Sequence, residues 1–246
     1  MGQIIAVVSG KGGTGKTSLC AGIASCLAAE GVRVLCIDAD LGLRNLDIAL
    51  GLTDLAALPF TALLGGGGPA PEIPEHPDLP GLYLLTAPLT ERPEHIDLGA
   101  YGAFLEAQRQ RFDYCLIDAP AGIGAGFRLA CAGADRVIVV AGSDPASLRD
   151  AASAASQLAD RPRGSVKLVV NRVVQKLAAR MHITVDELMD GVGLPLLGLV
   201  PEDPSVMLAA AAGVPLILYS GKKASRACLN IARRIRGQAV PLLKLT

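Results

Sequence analysis

Gly10-Lys11-Gly12-Gly13-Thr14-Gly15-Lys16-Thr17 follows the apolar run Ile4–Val8 and precedes an Ala- and Leu-rich stretch, Lys16–Glu30. This is G-x-x-x-x-G-K-[ST] in a strand–loop–helix setting, the pattern of a phosphate-cradling loop. Glycines allow the tight turn that makes backbone N–H groups converge on an anion. The helix that follows offers its positive N-terminal end to the same anion. Residues Gly10 to Ser18 are therefore expected to bind nucleotide phosphates. Lys16 is expected to reach the terminal phosphates, and the Thr17 hydroxyl to bind Mg²⁺.

Working outward, short apolar runs alternate with helical patterns along the whole chain. Candidate strands are Gln3–Val8, Val32–Ile37, Leu82–Leu85, Tyr114–Ile117, Val137–Val140, Val166–Val170 and Leu196–Val200. They are continuously hydrophobic rather than alternating, as in parallel strands covered on both faces. Candidate helices are Lys16–Glu30, Leu98–Arg111, Ala125–Ala132, Ala146–Ala159, Thr184–Asp190, Ser205–Ala212 and Ala224–Arg236. The rhythm predicts an α/β fold, a doubly wound, mostly parallel sheet with helices on both faces, and the glycine-loop motif in it makes that a P-loop NTPase. One domain is expected over residues 1–246. It carries a Gly/Pro-rich surface loop at 65–81, where five prolines and five glycines exclude helix and central strand, and a short tail at 237–246.

Composition narrows the function. Hydrophobic residues make up 51% of the 246 and charged residues 19%, which excludes a disordered chain. Lys+Arg and Asp+Glu are both 23, so a nucleic-acid coat is not expected. Aromatics are 3% with no Trp, which removes base-stacking platforms. The six cysteines include no C-x-x-C pair and mostly sit in apolar runs; they read as small buried hydrophobes in a reducing compartment. No targeting segment and no apolar run of about 18 residues is present, so a cytoplasmic protein is expected.

Two further strand ends carry carboxylates. Leu35-Cys-Ile-Asp38-Ala-Asp40 closes the second strand with two acids beside the phosphate loop, at the carboxyl ends of parallel strands where ligands bind. One would stand near Mg²⁺ and the other would position the attacking water. Phe112-Asp-Tyr-Cys-Leu-Ile-Asp118 ends the fourth strand in an acid suited to the metal shell.

Lys11, which the generic loop does not require, makes Lys11-Gly-Gly-Thr-Gly-Lys16-Thr resemble the deviant Walker A of the MinD/ParA/Mrp class of P-loop ATPases. The resemblance runs from Ile4 to about Arg236. Arg44-Asn-Leu-Asp47, Pro120-Ala-Gly-Ile123 and Pro201-Glu-Asp203 are more similar to the MinD family than to ParA or Mrp. It implies ATP and Mg²⁺ as cofactors, with slow, partner-stimulated hydrolysis. It also implies an ATP-dependent homodimer in which Lys11 crosses to the other subunit's phosphates, and a role in division-site placement with MinC-like and MinE-like partners. Lys11, Lys16 and Asp40 would be catalytic, Asp40 activating water; Thr17, Asp38 and Asp118 would serve the metal. Asn171 resembles the class's adenine-edge residue, Pro201, Glu202 and Asp203 the loop that reads the adenine, and Ser143–Asp150 a segment at the dimer interface. The alternatives are ParA-like partitioning, flagellar-number regulation and an Mrp-like iron–sulfur carrier. The zero net charge, the early first strand and the unpaired cysteines each point away from one of them.

The chain departs from the family in two places. Gly124-Ala-Gly126 stands where an acidic residue is usual, predicting a more flexible helix start. Past a basic final helix with six cations, Lys222–Arg236, only five residues follow Pro241, where the family usually has a membrane-inserting amphipathic helix. Contact with an anionic membrane surface is therefore expected to be weak, peripheral and dependent on two tails acting together. Co-sedimentation with anionic vesicles should be stronger with ATP than with ADP and should fall with salt. Equal pelleting with both nucleotides overturns this expectation.

Overall fold

In a computed structural model, residues 1–41, 43–65, 71–180 and 184–242 are described. Seven strands, β1 (Gln3–Ser9), β2 (Val34–Asp38), β3 (Leu82–Leu85), β4 (Tyr114–Ala121), β5 (Arg136–Ala141), β6 (Val166–Val173) and β7 (Leu196–Pro201), form one sheet in the order β3-β2-β4-β1-β5-β6-β7. Every pairing is parallel. The longer helices are α1 (Lys16–Ala29), α3 (Leu98–Arg109), α4 (Ala125–Cys131), α5 (Pro145–Ser156), α7 (Val185–Val192), α8 (Ser205–Ala211) and α10 (Lys223–Ile235). Between them lie the short α2 (Leu46–Leu50), α6 (Gln175–Arg180) and α9 (Leu216–Tyr219).

Alternate residues of each strand enter opposite cores, the period-2 geometry of a pleated strand. Ile4, Ala6 and Val8 join the core under α3, α4, α5 and α7, whereas Ile5 and Val7 join the one under α1 and α10. Helices thus cover both faces, which explains the unbroken apolar runs of the sequence. All six cysteines are free and buried, and burial raises the thiols of Cys20, Cys36 and Cys228. A Cβ on Gly22 of α1 would lie 2.8 Å from Cys228 Sγ, so glycine is what lets α1 and α10 pack closely.

The short elements are those that sequence periodicity does not announce. α2 exists for a tertiary reason: the Asp38 carboxylate accepts the N–H groups of Asn45 and Leu46, both at 3.1 Å, which are the unsatisfied donors of its first turn. The expected 65–81 loop has no regular element among its described residues, yet Ile73, His76 and Leu79 are buried. The ring of His76 bonds the Leu50 carbonyl at 3.0 Å and accepts from Asp78 N at 3.1 Å, tying the loop to the end of α2. Gly66–Gly68 of that loop lie outside the described residues.

At the other end of the chain, Cys228, Ile231 and Ile235 form the buried face of α10. Arg234 donates to the carbonyls of Leu197 (2.9 Å), Val240 (3.1 Å) and Pro241 (2.5 Å), folding the start of the tail against β7. The last four residues of the tail expected to contact a membrane surface, 243–246, lie outside the described residues. No described helix is long and apolar enough to cross a membrane.

Two of the six cations of Lys222–Arg236 pair with Glu30, which accepts from Arg233 at 2.7 Å and Arg236 at 2.6 Å. Burial pushes the Glu30 carboxyl up, but the two guanidinium groups outweigh it and hold it below its ordinary 4.5. A depressed carboxylate stabilises the fold above its unfolded value, and that gain is lost as pH falls through the folded one. Glu30→Gln should cost about 1 kcal/mol at pH 7 after solvent screening. Denaturant unfolding of both proteins should show the difference closing as the pH is lowered from 6 to 3.

Candidate functional site

The loop after β1 sits at the centre of the sheet's carboxyl edge. Gly13 and Gly15 have φ of +79° and +78°, a region that only glycine enters freely. A Cβ on Gly15 would also come within 2.5 Å of Asn171 Nδ2. α1 starts directly after it at Lys16, so the loop amides and the helix N-terminus face the same space. A cavity of about 410 Å³ lies there, lined by Lys11–Ser18, Asp40, Asn45 and Ile48. On the other side of the loop is a mainly apolar cavity of about 210 Å³. Gly15, Asn171, Pro201, Glu202, Val206 and Leu216 are among its walls. One face suits phosphates and the other a flat heterocycle.

Beneath the loop the charges are concentrated. Lys16 Nζ donates to Asp118 Oδ1 at 2.8 Å, with side chains 7% and 1% exposed. Burial pushes the Asp118 carboxyl up, while Lys16 and Thr17 pull it down. Asp38 stands opposite Asp118 in the β2–β4 register. Burial, then the charge of Asp118, raises Asp38 to about 6, against three backbone N–H groups that favour its ionised form. Those donors are Asp40, Asn45 and Leu46, so Asp38 also shapes the 40–46 segment. Burial raises Asp40 as well, and Lys16 opposes this.

One lysine cannot neutralise three such carboxylates, and a divalent cation among hard oxygen donors would. Thr17, Asp38 and Asp118 fit Mg²⁺ of the kind held by one or two protein oxygens, waters and substrate phosphates. Among the described residues no cluster of three or more His, Cys, Asp or Glu forms a self-sufficient metal cage.

The remaining expected residues are brought together, with different partners than sequence suggests. Lys11 Nζ lies 3.4 Å from Asp144 and 3.9 Å from Asp150 of its own chain, both within the expected interface segment. Asn171 lines the apolar cavity, but its amide donates to the carbonyls of Thr14 (2.9 Å) and Gly15 (3.4 Å). Asp203 also lines that cavity, but its carboxylate is taken up by the starts of α8 and α10, accepting from Ser205 N at 3.0 Å and Ala224 N at 3.2 Å. Gly126, read as a source of flexibility, has a packing reason, since a Cβ there would come 2.2 Å from Pro120 Cγ. Sequence reasoning missed Arg172, which reaches both Gly13 and Glu202; no motif marks it, and only the fold brings these three together.

The chain matches the CobQ/CobB/MinD/ParA nucleotide binding domain family over residues 5–216. It is 35% identical to the septum site-determining protein MinD of Synechocystis over 246 residues, covering 99% of this chain and 92% of that one. It is also 35% identical to the MinD of Bacillus subtilis, over 98% of this chain and 92% of that one. Among solved structures, it resembles the MinC:MinD cell division protein complex of Aquifex aeolicus with a TM-score of 0.88, 33% identity and 98% coverage of both chains. A MinD complexed with Mg-ADP from Pyrococcus horikoshii gives a TM-score of 0.81 at 27% identity, with 96% coverage of both chains.

The Asp38 environment predicts a pH signature. A carboxyl raised from 3.8 to about 6 keeps in the folded state a proton that the unfolded chain releases. Its contribution to stability therefore falls as pH rises from 4 to 6, by up to about 3 kcal/mol. Denaturant unfolding of wild type and Asp38→Asn should show the variant's deficit larger at pH 4.5 than at pH 7.5.

Proposed function

The chain belongs to the MinD family of the CobQ/CobB/MinD/ParA nucleotide-binding proteins, and on that premise we propose that it is an ATP-hydrolysing dimerisation switch in division-site placement. The observation that carries this reading is the buried Lys16–Asp118 pair under a glycine loop, with Asp38 and Asp40 beside it. A lysine, a helix N-terminus and three carboxylates then surround the place where the terminal phosphates of ATP would lie.

In this reading the amides of Gly12–Thr17 hold the phosphates and Lys16 reaches the outermost of them. Thr17, Asp38 and Asp118 hold Mg²⁺, which when bound offsets phosphate charge. Asp40 borders the phosphate cavity and accepts the proton of the attacking water; burial moves its carboxyl up towards the working pH, which strengthens it as a base. Pro201 and Glu202 frame the adenine in the apolar cavity, while Asp203 and Asn171 hold its walls in shape.

In this reading Lys11 works across the interface of the dimer. It borders a third cavity, of about 520 Å³, with Asp144 and Arg172. Its ion pairs to Asp144 and Asp150 are half exposed and so worth little, which leaves Lys11 free to exchange them for a partner subunit's phosphates. Regulators of the MinC and MinE kind would read the resulting dimer, in keeping with the MinC-bound relative. An iron–sulfur carrier has less support, because all six cysteines are buried.

Size-exclusion chromatography with light scattering should show a monomer with ADP and a dimer with ATP and Mg²⁺. Asp40→Ala should bind ATP, hydrolyse it about 10²–10⁴-fold more slowly and stay dimeric. Lys11→Ala should lose ATP-dependent dimerisation, and Lys16→Ala productive nucleotide binding. Dimerisation unaffected in Lys11→Ala overturns the cross-subunit role, and normal turnover in Asp40→Ala removes Asp40 as the base.

A further inference from the structure

We propose that Arg172 is a positioning residue for nucleotide binding: it locks the phosphate loop to the base-side loop and sets how long the nucleotide stays. The proposal rests on the nucleotide-binding reading above and adds a residue to it.

Arg172 has φ of +58°, a left-handed backbone that costs a side-chain-bearing residue energy. The strain coincides with an interruption of the β6–β7 ladder between Val170 and Val173, so residues 171 and 172 turn out of the sheet together. From there the guanidinium donates through one NH₂ to Gly13 O at 3.1 Å and through Nε to Glu202 Oε2 at 2.9 Å. The Arg172 and Glu202 side chains are 58% and 40% exposed, and an ion pair that wet returns little stability. A strained backbone kept for a weak pair is not explained by stability, and strain of this kind collects at functional sites.

The effect on the loop follows from peptide geometry. In a trans peptide the C=O and the next N–H point in opposite directions. Asn171 holds the carbonyls of Thr14 and Gly15, and Arg172 holds that of Gly13. The carbonyls of Gly13 and Thr14 are therefore pinned on the β6 side, which aims the N–H groups of Thr14 and Gly15 the other way; the carbonyl of Gly15 is held mainly by Leu19 N at 2.9 Å inside α1. Gly13, at φ +79°, has no side chain to restrict its backbone, and nothing lies within 4 Å of a Cβ built on it; the guanidinium restrains its carbonyl directly. The same guanidinium holds Glu202, and both residues line the base-side cavity and the outer cavity, forming the wall between them. One side chain thus fixes the phosphate grip and the mouth of the base site at once.

The test is stopped-flow release of a fluorescent N-methylanthraniloyl ADP from the full chain with Mg²⁺, chased by excess ADP. Arg172→Ala and Glu202→Gln should each speed release about tenfold, and the double variant no more than the larger single effect, as coupled partners require. Arg172→Gly removes the side chain but relieves the backbone. It should release nucleotide as fast as Arg172→Ala while unfolding at an equal or higher temperature, which separates positioning from fold stability. Arg33→Ala, which loses the exposed pair with Asp113 far from the site, should release at the wild-type rate. Release within twofold of wild type in Arg172→Ala and Arg172→Gly overturns the clamp, as does additivity in the double variant. Absence of binding by the unmodified chain overturns the nucleotide reading and the clamp with it.

Discussion

The buried ion pair between Lys16 and Asp118 is the constraint around which the site is arranged. Two charges out of water are tolerated only when paired and hydrogen-bonded, and removing one partner of such a pair typically costs about 3–5 kcal/mol. Lys16 is the first residue of α1 and Asp118 lies in β4, so the pair fixes the helix over the strand next to β1. The loop between β1 and α1 is thereby closed at both ends. Its glycines supply the dihedral freedom, but the pair determines where the loop lies.

Sheet order then decides which other charges gather there. β2 and β4 are neighbours, and their parallel register sets Asp38 against Asp118. β4 and β1 are neighbours in turn, which puts both acids beside the phosphate loop. Burial raises all three carboxyls, and the charge of a neighbouring acid adds to this at Asp38 and Asp118. A site with an unbalanced negative interior is one that gains from a divalent cation, which offsets both the carboxylates and the phosphate that Lys16 would hold. Asp38 also accepts the first-turn amides of α2, so the charge cluster organises the segment that carries Asp40.

The far side of the loop is governed by hydrogen bonds to backbone carbonyls instead of by charge. The end of β6 leaves its ladder at Asn171 and Arg172, and both side chains turn back onto Gly13–Gly15. Asp203 similarly gathers the amides of Ser205 and Ala224, joining the starts of α8 and α10 behind the apolar cavity. These polar groups shape the walls and leave the cavity itself mostly apolar, which suits a flat heterocycle.

Sequence by itself determined the architecture and where the glycine loop and its neighbouring acids lie in it. Seven apolar runs became seven strands within a few residues, because a strand buried on both faces can be read from composition alone. The loop and the acids at 38, 40 and 118 were legible because each sits close to the carboxyl end of a strand, where local spacing alone marks the place. Only the tertiary structure decided how far-apart residues meet. α2 and the anchoring of the 71–81 loop depend on Asp38 and His76, whose partners are supplied by the fold. Arg172 meets Gly13 across 159 positions and Asn171 meets Thr14 across 157, separations over which sequence carries no directional information. Lys11 points to its own Asp144 and Asp150 for the same reason: a long cation takes the nearest carboxylates, and which ones are near is set by the β1–β5 pairing and the start of α5.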